Sequence, residues 1–250
     1  MISFTTNPAS PADPSSKQTI EPQTIEALSD QLKSSPLKKQ LQIIQTLSEA
    51  GEVGIKPIMA FLLDRRPDSP TSSEGKAYQV LCKMRTPEVE AFLQTHFPTG
   101  LISTPSAQDL DYAPLQELLA AQDFEAADRL TLQNLCELAG PAAVKRKWLY
   151  FTEVEGFPSL DLRTIDTLWS IYSENKFGFS KQREIWFSVG QNWESLWTKI
   201  AWKTNNNWTR YPNEFIWDLT APSGHLPLSN QLRGVRVMDS LLNHPAWKKQ

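Results

Sequence analysis

The stretch DFEAADRLTLQNLCELAGP, residues 123–141, carries the clearest helix signal in the chain. Asp123 suits the N-cap, because its carboxylate can accept a hydrogen bond from a free backbone N–H group of the first turn. Gly140-Pro141 then ends the helix, since glycine favours the C-cap and proline cannot continue it. The apolar residues between them recur at helical spacing: Phe124, Ala127, Leu130, Leu135 and Leu138. This period recurs along most of the chain and predicts an all-α fold.

The chain before this helix divides into a tail and a helical bundle. Residues 1–23 are rich in Pro, Ser and Thr and poor in apolar residues, which predicts a disordered tail. Residues 24–100 predict an N-terminal bundle of paired antiparallel helices of the HEAT-like kind, closed near Pro98 and Gly100. Its helical repeats are Leu37, Leu41, Ile44 and Leu47, then Ile55, Ile58, Met59, Leu62 and Leu63, then Tyr78 and Leu81, and finally Val89, Phe92 and Leu93.

Residues 106–250 form the third part, a helical core with long loops. Helices are predicted to begin near Pro114, Thr164 and Ser180, and a final helix is predicted over Leu228 to Asn243. No second copy of any helical pair occurs at a fixed period, which excludes a tetratricopeptide array. The segment from Trp202 to Pro227 contains three consecutive asparagines and three prolines and is too long for a passive connection. We expect it to be mobile without a ligand and to close over one.

Several classes of protein are disfavoured by the sequence. No apolar run approaches the roughly 20 residues of a membrane span, and neither a secretory signal nor a transit peptide is recognisable, so a cytoplasmic protein is expected. Cys82 and Cys136 lack the spacing of a zinc or redox site. Phosphate loops, nucleophile elbows and histidine pairs are missing, and Glu153 and Glu155 would face different sides of a helix. We therefore expect no enzyme activity.

Aromatic residues and positive charge are concentrated in the same half. All nine tryptophans lie between Trp148 and Trp247. From Pro141 onward, 14 Lys and Arg face 10 Asp and Glu, a net charge of +4, whereas the preceding part has 11 against 18, a net charge of −7. This pairing favours an anionic, aromatic ligand, although +4 is too small to indicate nucleic acid. At any single tryptophan, packing remains the commoner role.

Several ordered motifs closely resemble the genomes-uncoupled-four family. They are Phe151-Thr152-Glu153-Val154-Glu155, Phe157-Pro158, Asp161-Leu162, Phe177-Gly178-Phe179-Ser180, Gly224-His225-Leu226-Pro227-Leu228 and Asn230-Gln231-Leu232-Arg233-Gly234-Val235-Arg236-Val237. The resemblance extends from about Asp111 to Trp247, and the N-terminal bundle is similar to the accessory domain of cyanobacterial members. It implies a cupped, all-helical core that holds protoporphyrin IX or its magnesium derivative.

The resemblance also implies a regulatory role. Members bind porphyrin and stimulate magnesium chelatase, through its large subunit, at the step that commits porphyrin to chlorophyll in photosynthetic cells. They are not themselves the catalyst and require no cofactor. The resemblance allows peripheral association with the thylakoid or another membrane.

The expected porphyrin-binding residues combine aromatic faces with a cationic rim. Arg233 and Arg236 lie three residues apart, so on one helix their guanidinium groups could receive the two propionates, although salt bridges to loop carboxylates are the alternative. Leu232 can touch the cleft or belong to the core seam of that helix. Phe151, at a position that the family associates with binding, Phe177 and Phe179 are candidates for ring contact, with core packing as the alternative. Tyr211 stands where family members often have Trp, which weakens stacking but offers a hydroxyl.

An axial contact to porphyrin magnesium needs a hard donor atom. Asn230 offers a carboxamide oxygen, which suits magnesium, and we prefer it to His225, since a histidine in a Gly-His-Leu-Pro turn is more often structural. Neither residue forms a metal site without the porphyrin. The alternative function is a carbohydrate-binding or other aromatic-platform module built on Trp202, Trp208 and Tyr211 around the asparagine run.

Overall fold

The computed structural model describes residues 22–65, 70–228 and 235–248. Thirteen α-helices and one short hairpin lie in these ranges, and the predicted all-α fold is confirmed. The helices are α1 Pro22–Ser34, α2 Leu37–Glu49, α3 Glu52–Asp64, α4 Ser72–Met84, α5 Pro87–His96, α6 Ala113–Ala120, α7 Phe124–Ala139, α8 Pro141–Arg146, α9 Phe151–Val154, α10 Ser159–Tyr172, α11 Phe179–Ser188, α12 Trp193–Lys199 and α13 Arg236–Leu242. The hairpin pairs β1 Lys203–Thr204 with β2 Asn207–Trp208 in antiparallel register.

The N-terminal bundle consists of α1 to α5. Helices α1 to α4 pack on one another in pairs, and α5 packs against α4. Most residues of the apolar stripes predicted from the sequence are wholly or partly buried, with Ile44, Leu47 and Ile58 fully enclosed, whereas Leu37 and Leu63 are exposed. Helix α4 begins with a capping box, because the Thr71 side chain accepts from the first turn while Glu74 accepts from the Thr71 backbone N–H at 2.8 Å. The bundle therefore presents α4 as a rigid, well-capped helix.

Helix α4 also joins the bundle to the core. It packs against α10, where Gly75 lies so close to Ile171 that an added Cβ would be 2.7 Å from the Ile171 carbonyl oxygen. The buried Gln79 amide donates across this junction to the carbonyl oxygens of Leu119, at 3.0 Å, and Tyr172, at 2.9 Å. Lys76 forms a salt bridge with Glu174 at 2.9 Å. A single hydrophobic core accordingly runs through both parts of the chain.

The core of the C-terminal part surrounds α7 and α10. The Asp123 side chain caps α7 by accepting from the Ala126 N–H at 3.1 Å, as the sequence predicts. Beneath α7, the Trp169 ring stacks on Phe124 at 6.0 Å and donates to Thr131 at 2.9 Å. Helices α10 and α11 begin at Ser159 and Phe179, so the proposed caps Thr164 and Ser180 lie inside helices. Both helices follow a residue that favours extended or left-handed backbone, Pro158 and Gly178.

Four tryptophans form a stacked ladder along α11, α12 and the residues that follow. Trp186, Trp193, Trp197 and Trp202 have successive ring-centroid distances of 4.6, 5.3 and 5.4 Å, with interplanar angles of 28°, 24° and 5°. Trp202 is fully buried, and its indole donates to the His225 carbonyl oxygen at 2.7 Å. Much of the tryptophan enrichment in this half therefore serves packing.

Candidate functional site

Phe151 and Arg236, two of the expected ligand residues, lie together. Each is the first residue of its helix, α9 and α13, and these two helices pack against each other. The Arg236 guanidinium carbon lies 5.4 Å from the centroid of the Phe151 ring. Arg236 is exposed and Phe151 is half-buried. Within the described ranges Arg236 forms no salt bridge, and its guanidinium lies beside an aromatic face.

Tyr211 belongs to an aromatic cluster formed by Tyr211, Phe215 and Trp217. Its ring packs edge-on against Phe215 at 5.9 Å and Trp217 at 5.8 Å, while Phe215 and Trp217 stack at 5.6 Å. The Trp217 indole donates to the Pro212 carbonyl oxygen at 3.0 Å, which fixes the turn after Tyr211. Since Tyr211 remains 41% exposed, the cluster presents part of its phenol ring to the surface.

Asp128, on α7, contacts Leu228 and lies near this aromatic cluster. Its carboxylate accepts from the Leu228 backbone N–H at 2.6 Å. Burial raises the pKa of Asp128 to about 7, although the bond from Leu228 and the nearby Tyr211 hydroxyl favour the charged form. Burial and the Asp128 charge raise the pKa of Tyr211 to about 12. The aromatic cluster holds the Tyr211 ring, and the availability of its hydroxyl to a ligand stays a prediction.

His225 serves the fold of the loop. It is buried, its Nδ1 lies 2.7 Å from the Ile200 carbonyl oxygen, and its Nε2 accepts from the Ile216 N–H at 3.1 Å. Burial lowers the pKa of the imidazole, which favours the neutral ring. With both nitrogens occupied, His225 has no donor atom left for a porphyrin metal.

Phe177 and Phe179 are placed in the core. Both are fully buried, and Phe177 packs edge-on against Phe124 at 5.4 Å. Neither ring has an exposed face for a ligand, so we revise their expected role to packing. The alternative aromatic platform is also reduced, because Trp202 is fully buried, which leaves Trp208 and Tyr211 at the surface.

The remaining expected residues, Asn230, Leu232 and Arg233, lie outside the described residues. The final helix begins at Arg236, eight residues later than the predicted start at Leu228. Since Arg233 lies outside the described residues, its pairing with Arg236 on one helix stays a prediction. The described neighbours, Leu228 and Val235, nevertheless flank the six residues 229–234 on which those side chains lie.

Sequence reasoning missed two buried polar residues that hold this region together. One is Asp128, and the other is Gln182 on α11, whose amide donates to the carbonyl oxygens of Gly224, at 3.0 Å, and Pro227, at 2.8 Å. Both residues lie at positions where the helical period predicts burial. A polar residue on a predicted buried face was the sequence signal that could have identified them. The Trp202–Pro227 loop is thus anchored at Gly224 and Pro227, and its closure over a ligand stays a prediction.

Glu153, one of the two acidic residues considered for catalysis, is engaged structurally. Glu153 receives both a salt bridge from Arg146, at 2.6 Å, and the Tyr150 backbone N–H, at 2.7 Å. The Arg146 guanidinium in turn lies over the rings of Trp148 and Tyr150, at 4.5 and 4.2 Å. Among the described residues no group of His, Cys, Asp and Glu could hold a metal ion. No helix in these ranges is long and apolar enough to cross a membrane.

Comparison with known proteins gives a consistent result over both parts of the chain. The family described as GUN4-like matches residues 105–245, and the ARM-like repeat domain described as GUN4-N terminal matches residues 17–98. A Ycf53-like protein of Synechocystis is 51% identical over 223 residues, which cover 89% of this chain and 96% of the relative. The chloroplastic tetrapyrrole-binding protein of Arabidopsis thaliana is 38% identical over 142 residues, 53% of this chain and 54% of that protein.

Solved structures agree with the sequence matches. The structure of GUN4 from Chlamydomonas reinhardtii has a TM-score of 0.56 at 40% identity and covers 59% of this chain and 95% of its own. The ligand-free structure of Arabidopsis thaliana GUN4 has a TM-score of 0.52 at 37% identity and covers 56% of this chain and 99% of its own. With its N-terminal helical bundle and its C-terminal core both matched, the chain belongs to the GUN4-like family.

Proposed function

We propose that this protein is a tetrapyrrole-binding regulator that binds protoporphyrin IX and Mg-protoporphyrin IX and stimulates magnesium chelatase in chlorophyll biosynthesis. The observation that carries the proposal is the pairing of an exposed Arg236 guanidinium with the half-buried Phe151 ring. A porphyrin is a flat aromatic plate with two carboxylates at one edge. It therefore needs an aromatic or apolar face beside a cation, which is the pair that α9 and α13 bring together.

The Tyr211 ring supports the same proposal from the loop. It is held by the aromatic cluster while part of its surface stays open. A ring fixed in this way loses little conformational freedom when a flat ligand packs on it. Asn230, Leu232 and Arg233 complete the proposed site through the family resemblance, with Arg233 as a second propionate partner and Asn230 as an axial oxygen donor to porphyrin magnesium.

The proposed partner is the large subunit of magnesium chelatase, and the proposed mode of action is delivery or presentation of porphyrin without catalysis. In support, Glu153 is used in a salt bridge and a helix cap, and His225 in two hydrogen bonds. Peripheral membrane association, and with it a location at the thylakoid, belongs to the same proposal. The Arabidopsis relative, named as a tetrapyrrole-binding protein, supports the ligand class.

The test is a titration of the full chain with protoporphyrin IX and Mg-protoporphyrin IX, followed by porphyrin absorbance and tryptophan fluorescence. We expect saturable binding of both ligands, and a faster magnesium-insertion rate when the chain is added to chelatase. Soluble glycans serve as the comparison ligands. Quenching by a glycan with no response to either porphyrin would refute the proposal in favour of the aromatic-platform alternative.

A further inference from the structure

A cavity of about 520 Å³ lies where the N-terminal bundle meets the segment that leads into the core. On the bundle side its wall comes from the end of α3, the start of α4 and the end of α5, and on the other side from residues 99–105. Small-molecule sites in proteins commonly enclose about 300 to 1,000 Å³, so this cavity has room for a metabolite. It is separate from Phe151, Tyr211 and Arg236, none of which lines it.

The wall formed by residues 99–105 is fixed to the core. The Gln116 side chain, on α6, donates to the Ile102 carbonyl oxygen at 3.1 Å and accepts from the Ile102 backbone N–H at 2.8 Å. The Thr164 hydroxyl, on α10, donates to the Pro105 carbonyl oxygen at 2.7 Å. A molecule in the cavity would therefore contact both the bundle and a segment that core helices hold in place.

Glu74, on α4, lines this cavity and has one unsatisfied carboxylate oxygen. Only 1% of the residue is exposed. Its Oε2 accepts from the Thr71 backbone N–H at 2.8 Å and from the Thr71 and Ser73 hydroxyls. Its Oε1 is buried without a hydrogen-bond partner among the described residues, and no salt bridge in these ranges involves Glu74. Since the helix cap uses only Oε2, Oε1 is the oxygen left for a donor from outside the chain.

The rest of the lining combines a cation with an apolar surface. Arg65, the C-cap of α3, lines the cavity, and its guanidinium donates to the Lys33 carbonyl oxygen at 3.1 Å. A guanidinium carries five N–H donors, so this bond leaves capacity for an acid group. Apolar lining comes from Leu62, Leu101 and Ile102, among others. One cavity therefore presents an anion, a cation and apolar side chains to the same ligand.

We propose that this cavity binds a small zwitterion of the amino-acid class, whose ammonium group donates to Glu74 Oε1 and whose acid group binds Arg65. The ammonium would satisfy the orphaned oxygen and supply the positive charge that the buried carboxylate lacks among its described neighbours. The apolar side chains would receive an aliphatic stem. This site is independent of the proposed porphyrin site and gives the junction between the bundle and the core a ligand of its own.

The test is a calorimetric titration of the full chain with three zwitterions of graded length: glycine, 4-aminobutyrate and 6-aminohexanoate. Hexylamine and hexanoate carry only one charge each and serve as comparison ligands. Glu74→Gln removes the negative charge but keeps a side-chain carbonyl oxygen for the Thr71 N–H, so the cap of α4 is retained. Glu88→Gln is the matched control, because Glu88 is exposed on α5 and does not line the cavity.

We expect saturable binding of at least one zwitterion, at least about tenfold tighter than hexylamine or hexanoate. Glu74→Gln should weaken that zwitterion at least about tenfold, Arg65→Ala should weaken it as well, and Glu88→Gln should leave it unchanged. No binding of any of the three zwitterions by the wild-type chain would overturn the inference. Wild-type affinity in a folded Glu74→Gln would overturn it too.

Ser103→Trp keeps the inference testable if Glu74→Gln does not fold. Ser103 is exposed and lines the cavity, so an indole there takes up ligand space while the capping box of α4 stays intact. Zwitterion binding should be lost in this variant, whereas its melting temperature and protoporphyrin IX affinity should match the wild type. Wild-type zwitterion affinity in Ser103→Trp would overturn the inference. Porphyrin titrations of the same proteins report on the proposed function separately, so either proposal can fail without the other.

Discussion

Arg236 offers the most direct test at the scale of single residues. Arg236→Ala removes a charge-assisted hydrogen bond to a propionate, so we expect protoporphyrin IX to bind more weakly by about 1 to 3 kcal/mol. The melting temperature should change little, because the side chain is exposed. Arg236→Lys should restore only part of the affinity, since it keeps the charge but loses the planar fork. Calorimetric or absorbance titration gives the measurement.

Two controls limit the interpretation of the Arg236 experiment. Arg65, in the N-terminal bundle, also lies over a phenylalanine, with its guanidinium carbon 5.9 Å from the Phe61 ring centroid, and Arg65→Ala should leave affinity unchanged. The dimethyl ester of protoporphyrin IX lacks the propionate charge and should respond weakly to Arg236→Ala. If the variant binds the free acid normally and melts at a much lower temperature, Arg236 is structural.

Asp128 predicts a pH dependence of stability. Its pKa is about 7 in the folded protein, above the ordinary value of 3.8, so the folded state binds more protons between these values. The free energy of unfolding should therefore fall as the pH rises from about 4 to 7, by at most about 1.4 kcal/mol per pH unit from this group. The contribution is fully present below pH 4 and is lost above pH 7.

Asp128→Asn should remove this contribution. We expect the difference in unfolding free energy between the wild type and the variant to shift toward the variant as the pH rises from 5 to 7.5, measured by urea unfolding at each pH. Asp166, whose pKa burial raises to about 6, has the same sign and stays in both proteins. His225 has the opposite sign, because its lowered pKa costs stability as the pH falls through 6.5. A pH-independent difference would contradict the buried, titrating carboxyl.

The type of a residue predicts the chemistry of its side chain, but it does not predict what surrounds that side chain in the fold. The resemblance placed Phe151 and Arg236 in one site, and the structure brings them together. Phe177 and Phe179 carry similar motif evidence but are enclosed by the core, and no local pattern distinguishes a buried phenylalanine from a ligand-facing one. Asp128 could not be assigned from sequence, since its partner Leu228 lies 100 positions away and only the tertiary fold brings the two near.

At the scale of elements, Gln182 holds the loop that ends at Pro227. Gln182→Leu would leave the Gly224 and Pro227 carbonyl oxygens buried without their present donor, so we expect a loss of about 2 to 4 kcal/mol in unfolding free energy. Hydrogen exchange at the Gly224 and His225 amides, which donate to the Lys176 and Pro222 carbonyl oxygens, should accelerate in the variant, whereas in the wild type these amides are protected even without porphyrin. Gln133→Leu is the control, since Gln133 is exposed and bonds only to Glu137 among the described residues.

An unchanged stability in Gln182→Leu would mean that the loop does not depend on this anchor.

The bounds of two helices show how far sequence patterns define an element. Helix α7 has a cap, a clean period and a stop signal, and its bounds were predicted closely. The described part of the final helix begins at Arg236, after its N-cap Val235, and not at Leu228 as the apolar period suggests. The Leu228 backbone N–H donates to Asp128 on α7, a long-range contact that no local pattern predicts.

At the scale of the whole molecule, the junction between α4 and α10 determines how independent the two parts are. Gly75 contacts Ile171, Gln79 donates to the ends of α6 and α10, and Lys76 pairs with Glu174. The sequence indicated a division near residue 100 but not this interface, since neither glycine nor glutamine in a helix signals a partner. The structural matches to the two solved relatives span 95% and 99% of the relatives' chains but only 59% and 56% of this chain. The matched part of this chain thus corresponds to nearly all of each of those solved chains.

Gly75→Ala should loosen this junction without altering the porphyrin site. The added methyl group would meet the Ile171 carbonyl oxygen at 2.7 Å, and since this atom belongs to the backbone, the two helices must separate, at a cost of about 1 to 3 kcal/mol. Thermal unfolding should then show separate transitions for the bundle and the core, while protoporphyrin IX affinity stays within about threefold of the wild type. Gly156→Ala is the control, because an added Cβ there makes only an ordinary 3.5 Å contact.

A fragment of residues 106–250 tests the same junction by removing the N-terminal bundle. We expect it to bind protoporphyrin IX with an affinity within about threefold of the wild type but to melt at a lower temperature, because the face of α10 that receives α4 becomes exposed. If both Gly75→Ala and the folded fragment lose more than about tenfold in affinity, about 1.4 kcal/mol, the N-terminal bundle helps to form the site, and the ligand contacts are not confined to the C-terminal core.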